Sequence, residues 1–119
     1  MITLYHNPRC SKSRETLALA EAAAERLGEP LEVVDYLKTP PDLATLTALQ
    51  AALGLPARAM IRDGEAAYAE LNLTDATLTD PQLLAAVAAH PILLQRPVVV
   101  RGGRAAIGRP PENVLALLG

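Results

Sequence analysis

The sequence predicts an α/β fold that runs β-α-β, then a helical block, then β-β-α. Three observations carry that reading. Apolar spacing switches from loose alternation in residues 1–5 to three- and four-residue steps after Ser11, and returns to a short apolar run at Leu31–Asp35. The middle of the chain then reads as helices and helical turns punctuated by proline and glycine. Residues 92–107 bring an extended apolar run, the turn sequence Arg101-Gly-Gly-Arg104 and a second short strand.

Each element has a local reason. Ile2 and Leu4, with Tyr5, form the first strand, and Pro8 sets the turn after it by fixing its own φ and biasing Asn7 towards an extended backbone. A helix starts near Ser11; Leu17, Ala20, Ala24 and Leu27, with Ala23 beside them, form its inner face, and Gly28 stops it. The strand Leu31–Asp35 completes a βαβ unit and so runs parallel to the first. Thr39 before Pro40 offers the start of a second helix, outlined by Leu43, Leu46, Leu49 and Leu53 and ended at Gly54. Short helical turns follow at residues 57–62 and 65–71. Thr79 caps a further helix over residues 83–89, which Pro91 stops. Residues 92–100 are extended, with Pro97 at the head of the last central strand, where a missing N–H is best tolerated. A final helix contains Val114, Leu115 and Leu118.

The bulk numbers agree with one folded domain over residues 1–119: half the residues are hydrophobic and 20% are charged. With three Tyr and no Trp or Phe, the core must be mostly Leu, Val, Ile and Ala. Neither a signal-peptide pattern nor a membrane-length apolar run is present, so a cytoplasmic protein is expected, a monomer without a membrane partner. A net charge of −2 gives no reason to expect nucleic acid. The two histidines, His6 and His90, have no ligand spacing, so no metal and no bound cofactor are expected.

The chemistry centres on Cys10, the only cysteine. It stands at a strand-to-helix junction, facing N–H groups that stabilise a thiolate and bind oxyanions. Its neighbours Asn7, Arg9, Ser11, Lys12, Ser13 and Arg14 are polar, so the segment reads as exposed and the thiol as reactive. Thr16 stands where a Cys-x5-Arg phosphate loop needs arginine, and Ser13 where a Cys-x-x-Cys redox motif needs its second thiol. Any redox turnover at Cys10 must therefore be resolved by a thiol from another molecule, glutathione or a small thiol-disulfide protein. Arg62, Arg96 and Arg109 each stand beside a turn or a proline, and arginine's planar fork suits a tetrahedral oxyanion. His6 is placed to tune the thiolate, and His90 to cap a helix end.

Five blocks in order, residues 5–17 (YHNPRCSKSRETL), 36–41 (YLKTPP), 59–62 (AMIR), 90–100 (HPILLQRPVVV) and 107–112 (IGRPPE), resemble the glutaredoxin-dependent arsenate reductase family. The resemblance implies a thioredoxin-like fold: a four-stranded mixed sheet flanked by helices, with a helical insertion between the βαβ and ββα halves. It implies that Cys10 attacks arsenate and that Arg62, Arg96 and Arg109 hold the oxyanion, with Ser11, Lys12, Ser13 and Arg14 completing the binding set. His6 matches the family's thiolate-tuning histidine, and Pro97 the cis-proline opposite the active cysteine. Glutathione as co-substrate and glutaredoxin as reductant are the implied partners. A monothiol glutaredoxin-like transferase and a non-catalytic regulator like Spx are the alternatives; Ser13 suits the first and breaks the redox switch of the second.

Overall fold

The computed structural model describes residues 1–119 and divides the chain into two compact units, Met1–Thr39 with Arg96–Gly119, and Pro40–Gln95. The first unit holds β1 (Ile2–His6), α1 (Ser11–Leu27), β2 (Leu31–Asp35), β3 (Val98–Arg101), β4 (Arg104–Ile107) and the short α5 (Leu115–Leu118). Its four strands form one mixed sheet in the order β2-β1-β3-β4. β1 pairs in parallel with β2, from Ile2 opposite Leu31 to His6 opposite Asp35, and antiparallel with β3. The βαβ unit and the hairpin thus stand where the sequence puts them. In the hairpin, Gly102 takes a φ of 62°, the left-handed conformation that a tight two-residue turn needs at its first central position.

Strand alternation decides which side chains meet the helices. Ile2, Leu4 and His6 share the buried face of β1. Ile2, Leu4 and Val99 form one cluster with Ala20 and Ala23 of α1 and with Val114, Leu117 and Leu118 at the chain end. Alanines at the contact let α1 lie close to the strands. Arg26 in its last turn donates to the Leu118 carbonyl at 2.7 Å, tying α1 to α5.

The buried edge of α1 is not the all-apolar stripe the spacing suggests. Ser13, Thr16, Ala20 and Ala23 are the buried residues, while Leu17, Ala24 and Leu27 are only partly buried against the cluster. Two polar residues can occupy that edge because both are satisfied locally. Thr16 donates its hydroxyl to the Lys12 carbonyl at 2.9 Å, and Ser13 bonds to the β1 end.

The second unit is the helical block. α2 (Leu43–Leu53) starts at Asp42, not Thr39: the Asp42 carboxylate accepts the Thr45 N–H at 2.8 Å. Pro41 explains the shift, because a proline drives the residue before it out of helical geometry. A 3-10 turn at Ala57–Met60 and α3 (Ala66–Glu70) follow. α4 (Asp80–Ala89) begins three residues earlier than its apolar periodicity, capped by Thr79 and Gln82 in a reciprocal capping box. The run expected to be extended from Ile92 opens as a 3-10 turn over Pro91–Leu93, Leu94 makes an isolated bridge to Ile61, and the strand itself starts at Val98. No helix of the protein is long and apolar enough to cross a membrane.

Gly108 is the most closely packed glycine of the first unit. A Cβ there would lie 2.6 Å from Thr16 Oγ1 and 2.9 Å from Pro97 Cγ. Gly108→Ala is expected to destabilise the fold by about 1–3 kcal/mol, the usual cost of overpacking, read as a lower urea midpoint with an unchanged slope.

Candidate active site

The site is built from the turn between β1 and α1. Asn7 organises it with three groups: its Oδ1 accepts the Arg9 N–H at 3.0 Å, its carbonyl accepts the Cys10 N–H at 3.0 Å, and its own N–H donates to Ser13 Oγ at 3.0 Å. Arg14 closes the outside of the turn by donating to the Pro8 carbonyl at 3.0 Å. On the inside, His6 Nδ1 and Ser13 Oγ are hydrogen-bonded at 2.7 Å. His6, Asn7 and Ser13 are therefore buried, which corrects the expectation that the whole polar segment is exposed. The strand period turns His6 inward and the helix period turns Ser13 to meet it.

Cys10 occupies the N-cap position of α1 with an extended backbone (φ −97°, ψ 124°), and no side-chain oxygen caps the helix. Burial alone would raise its thiol pKa. The N–H of Ser13, the Arg96 guanidinium and the N–H of Lys12 outweigh that and bring it below the ordinary cysteine value. Arg109 adds a contact, with Nη1 3.9 Å from Cys10 Sγ and 3.3 Å from the Arg96 carbonyl that it bonds. The Asn113 side-chain amide holds the Arg109 carbonyl at 3.1 Å.

Arg96 is the less exposed member of the pair, with its Nε and Nη1 buried. Its pKa is raised: burial opposes the charge, but the Cys10 sulfur and the Tyr36 hydroxyl outweigh that. Tyr36 itself is fully buried. Arg96–Pro97 is a cis peptide, as the resemblance implies, and Arg109–Pro110 is a second one that the sequence reading did not anticipate.

Burial lowers the His6 pKa, against a raising influence of Asp35 and with a further lowering one of Arg14. Burial thus favours the neutral imidazole, which is bonded to Ser13 rather than to the sulfur. It reaches the thiol through the Ser13 backbone, as a positioning residue. Ser11 and Lys12 are exposed on the first turn, with Lys12 Nζ 4.0 Å from Glu15. Arg62 belongs to the Pro40–Gln95 unit, where its Nε lies 3.1 Å from Glu65. His90 stands at the C-terminus of α4, its N–H on the Ala86 carbonyl. Sequence reasoning gave no role to Tyr36 or to the side chain of Asn7. Asn before Pro is a turn signal that could have flagged the second, whereas nothing local marks a tyrosine for an arginine 60 positions on.

The sequence model of the ArsC family matches residues 5–117. The chain belongs to the ArsC family. It is 51% identical over 118 residues to a protein named arsenate reductase from Neisseria meningitidis, covering 98% of this chain and 97% of that one. An uncharacterised Escherichia coli protein, YfgD, is 51% identical over 119 residues, covering 99% and 97%. A solved arsenate reductase from Vibrio cholerae superposes with a TM-score of 0.87 at 51% identity, covering 97% of this chain and 95% of that one. The four-stranded mixed sheet with its helices is the thioredoxin-like fold of the ArsC family.

Two outcomes follow from the geometry. The pH profile of Cys10 alkylation by iodoacetamide is expected to have its midpoint below that of an ordinary cysteine and to move up in Arg96→Ala; an unmoved midpoint would show that the guanidinium does not govern the thiolate. Ser13→Ala strands the Asn7 N–H and His6 Nδ1 in a buried place, and is expected to cost about 1–3 kcal/mol in chemical denaturation.

Proposed function

We propose that this chain reduces arsenate to arsenite through a covalent adduct on Cys10, with glutathione and glutaredoxin supplying the thiols. The observation that carries the reading is the convergence on one sulfur of two helix N–H groups, Arg96 and Arg109. These are the groups that hold an anionic nucleophile and a tetrahedral oxyanion together. Relatives named arsenate reductase, at 40–51% identity over nearly the whole chain, support arsenate as the oxyanion.

In this mechanism the Cys10 thiolate forms a sulfur–arsenic bond, and one arsenate oxygen leaves as water. The guanidinium groups of Arg96 and Arg109 and the N–H groups of Lys12 and Ser13 neutralise the remaining oxygens, with Ser11 and Arg14 as further members of the set. Glutathione displaces a second oxygen as water, giving an arsenic bonded to both sulfurs. Glutaredoxin then attacks the glutathione sulfur; the new glutaredoxin–glutathione disulfide carries away two oxidised sulfurs, the electron pair stays on arsenic, and As(V) becomes As(III), which water displaces from the Cys10 sulfur as arsenite, restoring the thiol. Since Cys10 has no second thiol in the chain, both later steps need outside sulfur. The reducing cytoplasm is the setting that provides it. Phosphate matches arsenate in shape and charge, so discrimination falls to the thiol's attack on a softer, more reducible centre.

The test is NADPH consumption coupled through glutathione reductase, glutathione and glutaredoxin. Arsenate is expected to drive the rate, Cys10→Ser to return it to background, and Arg96→Ala to lower it about a hundredfold, the cost of losing one oxyanion donor. No arsenate-dependent rate would overturn the reading. Turnover of hydroxyethyl disulfide without arsenate turnover would replace it with a monothiol transferase.

A further inference from the structure

The β1–α1 turn has a second side. Beside it opens a cleft of about 430 Å³ lined by Asn7, Pro8, Arg9, Asp35, Leu37 and Lys38, all within the sheet-bearing unit. That volume lies in the range of roughly 300–1,000 Å³ that small-molecule sites occupy, and it far exceeds one arsenic and four oxygens. Arg9 of its lining directly precedes Cys10 in the chain.

We propose that this cleft seats the external thiol that resolves Cys10, and that it is shaped for a peptide-like thiol bearing carboxylates and one ammonium, as glutathione does. The proposal rests on reading Cys10 as a thiol completed by a second molecule. The lining supplies a complement for each part of such a ligand. Arg9 and Lys38 are exposed cations that form none of the ion pairs of this unit, and they meet the two carboxylates. Asp35 is the single anion of the cleft, held in place because its Oδ1 accepts the Leu37 N–H at 3.2 Å, and it meets the ammonium. Pro8 and Leu37 give an apolar floor; Leu37 keeps 37% of its surface exposed although it lies next to the fully buried Tyr36 in the chain. An inorganic oxyanion would have no use for a carboxylate and a leucine in its site, whereas a zwitterionic peptide uses both.

The seat can be tested without arsenate. When Cys10 thiolate attacks glutathione disulfide, a Cys10–glutathione disulfide forms, the original sulfur–sulfur bond breaks, and one glutathione thiolate leaves with the electron pair. The readout is the ratio of that rate to the rate with hydroxyethyl disulfide, which is neutral, followed by intact mass. The wild-type chain is expected to favour glutathione disulfide. The double variant Arg9→Ala/Lys38→Ala is expected to lose about five- to tenfold of that ratio, as two exposed charge pairs give, and Arg9→Lys/Lys38→Arg to keep most of it. Dithiodipropionate, a dianion without peptide or ammonium, should lose far less in the same variant. A ratio unchanged in the double variant, or an equal loss for both anionic disulfides, would overturn the seat, the second by reducing it to general charge attraction. Failure of arsenate turnover in the coupled assay would leave this result standing, and the reverse holds as well.

Discussion

One buried hydroxyl holds the site together. Ser13 Oγ joins the end of β1 to the first turn of α1 through the His6 ring and the Asn7 N–H, at 2.7 and 3.0 Å. That knot fixes where α1 starts, and the start of α1 fixes what Cys10 can be. The cysteine lies at the N-cap, where a side-chain oxygen usually accepts the first free N–H groups; here the sulfur receives them. Burial favours the neutral form of His6, and its ring is held by the Ser13 hydroxyl.

The positive charge comes from the other end of the chain. Arg96 precedes β3 and Arg109 follows β4, so the hairpin brings both back beside the β1–α1 turn. Their roles differ. Arg96 is shielded and shared between sulfur and the Tyr36 hydroxyl, which holds its charge in a fixed place. Arg109 is exposed; its guanidinium donates to the Arg96 carbonyl and its own carbonyl accepts the Asn113 side-chain amide, which leaves its outer N–H groups to turn to an incoming oxyanion. A half-buried donor held by its neighbours and an exposed one beside it suit a substrate that binds as an anion and reacts as an electrophile.

Much of this was legible in the sequence because it depends on local rules. Alternation named β1, glycine stopped α1, and the spacing Cys10 to Ser13 excluded a dithiol. The errors share a different origin. Ser13 and Thr16 are polar yet buried, since a hydroxyl satisfied by a neighbouring ring or carbonyl pays little for leaving water, and residue type alone does not report the partner. Thr39 lost the cap of α2 to Asp42 because consecutive prolines push the helix start along the chain. Tyr36 was invisible as a site residue because its partner, Arg96, is distant in sequence and meets it only through the sheet order β2-β1-β3.

The central claim is that Cys10 sits inside an oxyanion site. Protection of Cys10 from iodoacetamide by added arsenate measures this directly, because a bound oxyanion must lie over the sulfur it is about to meet. The account predicts saturable protection that weakens in Arg96→Ala and in Arg109→Ala. Alkylation that proceeds at the same rate with and without arsenate would contradict it.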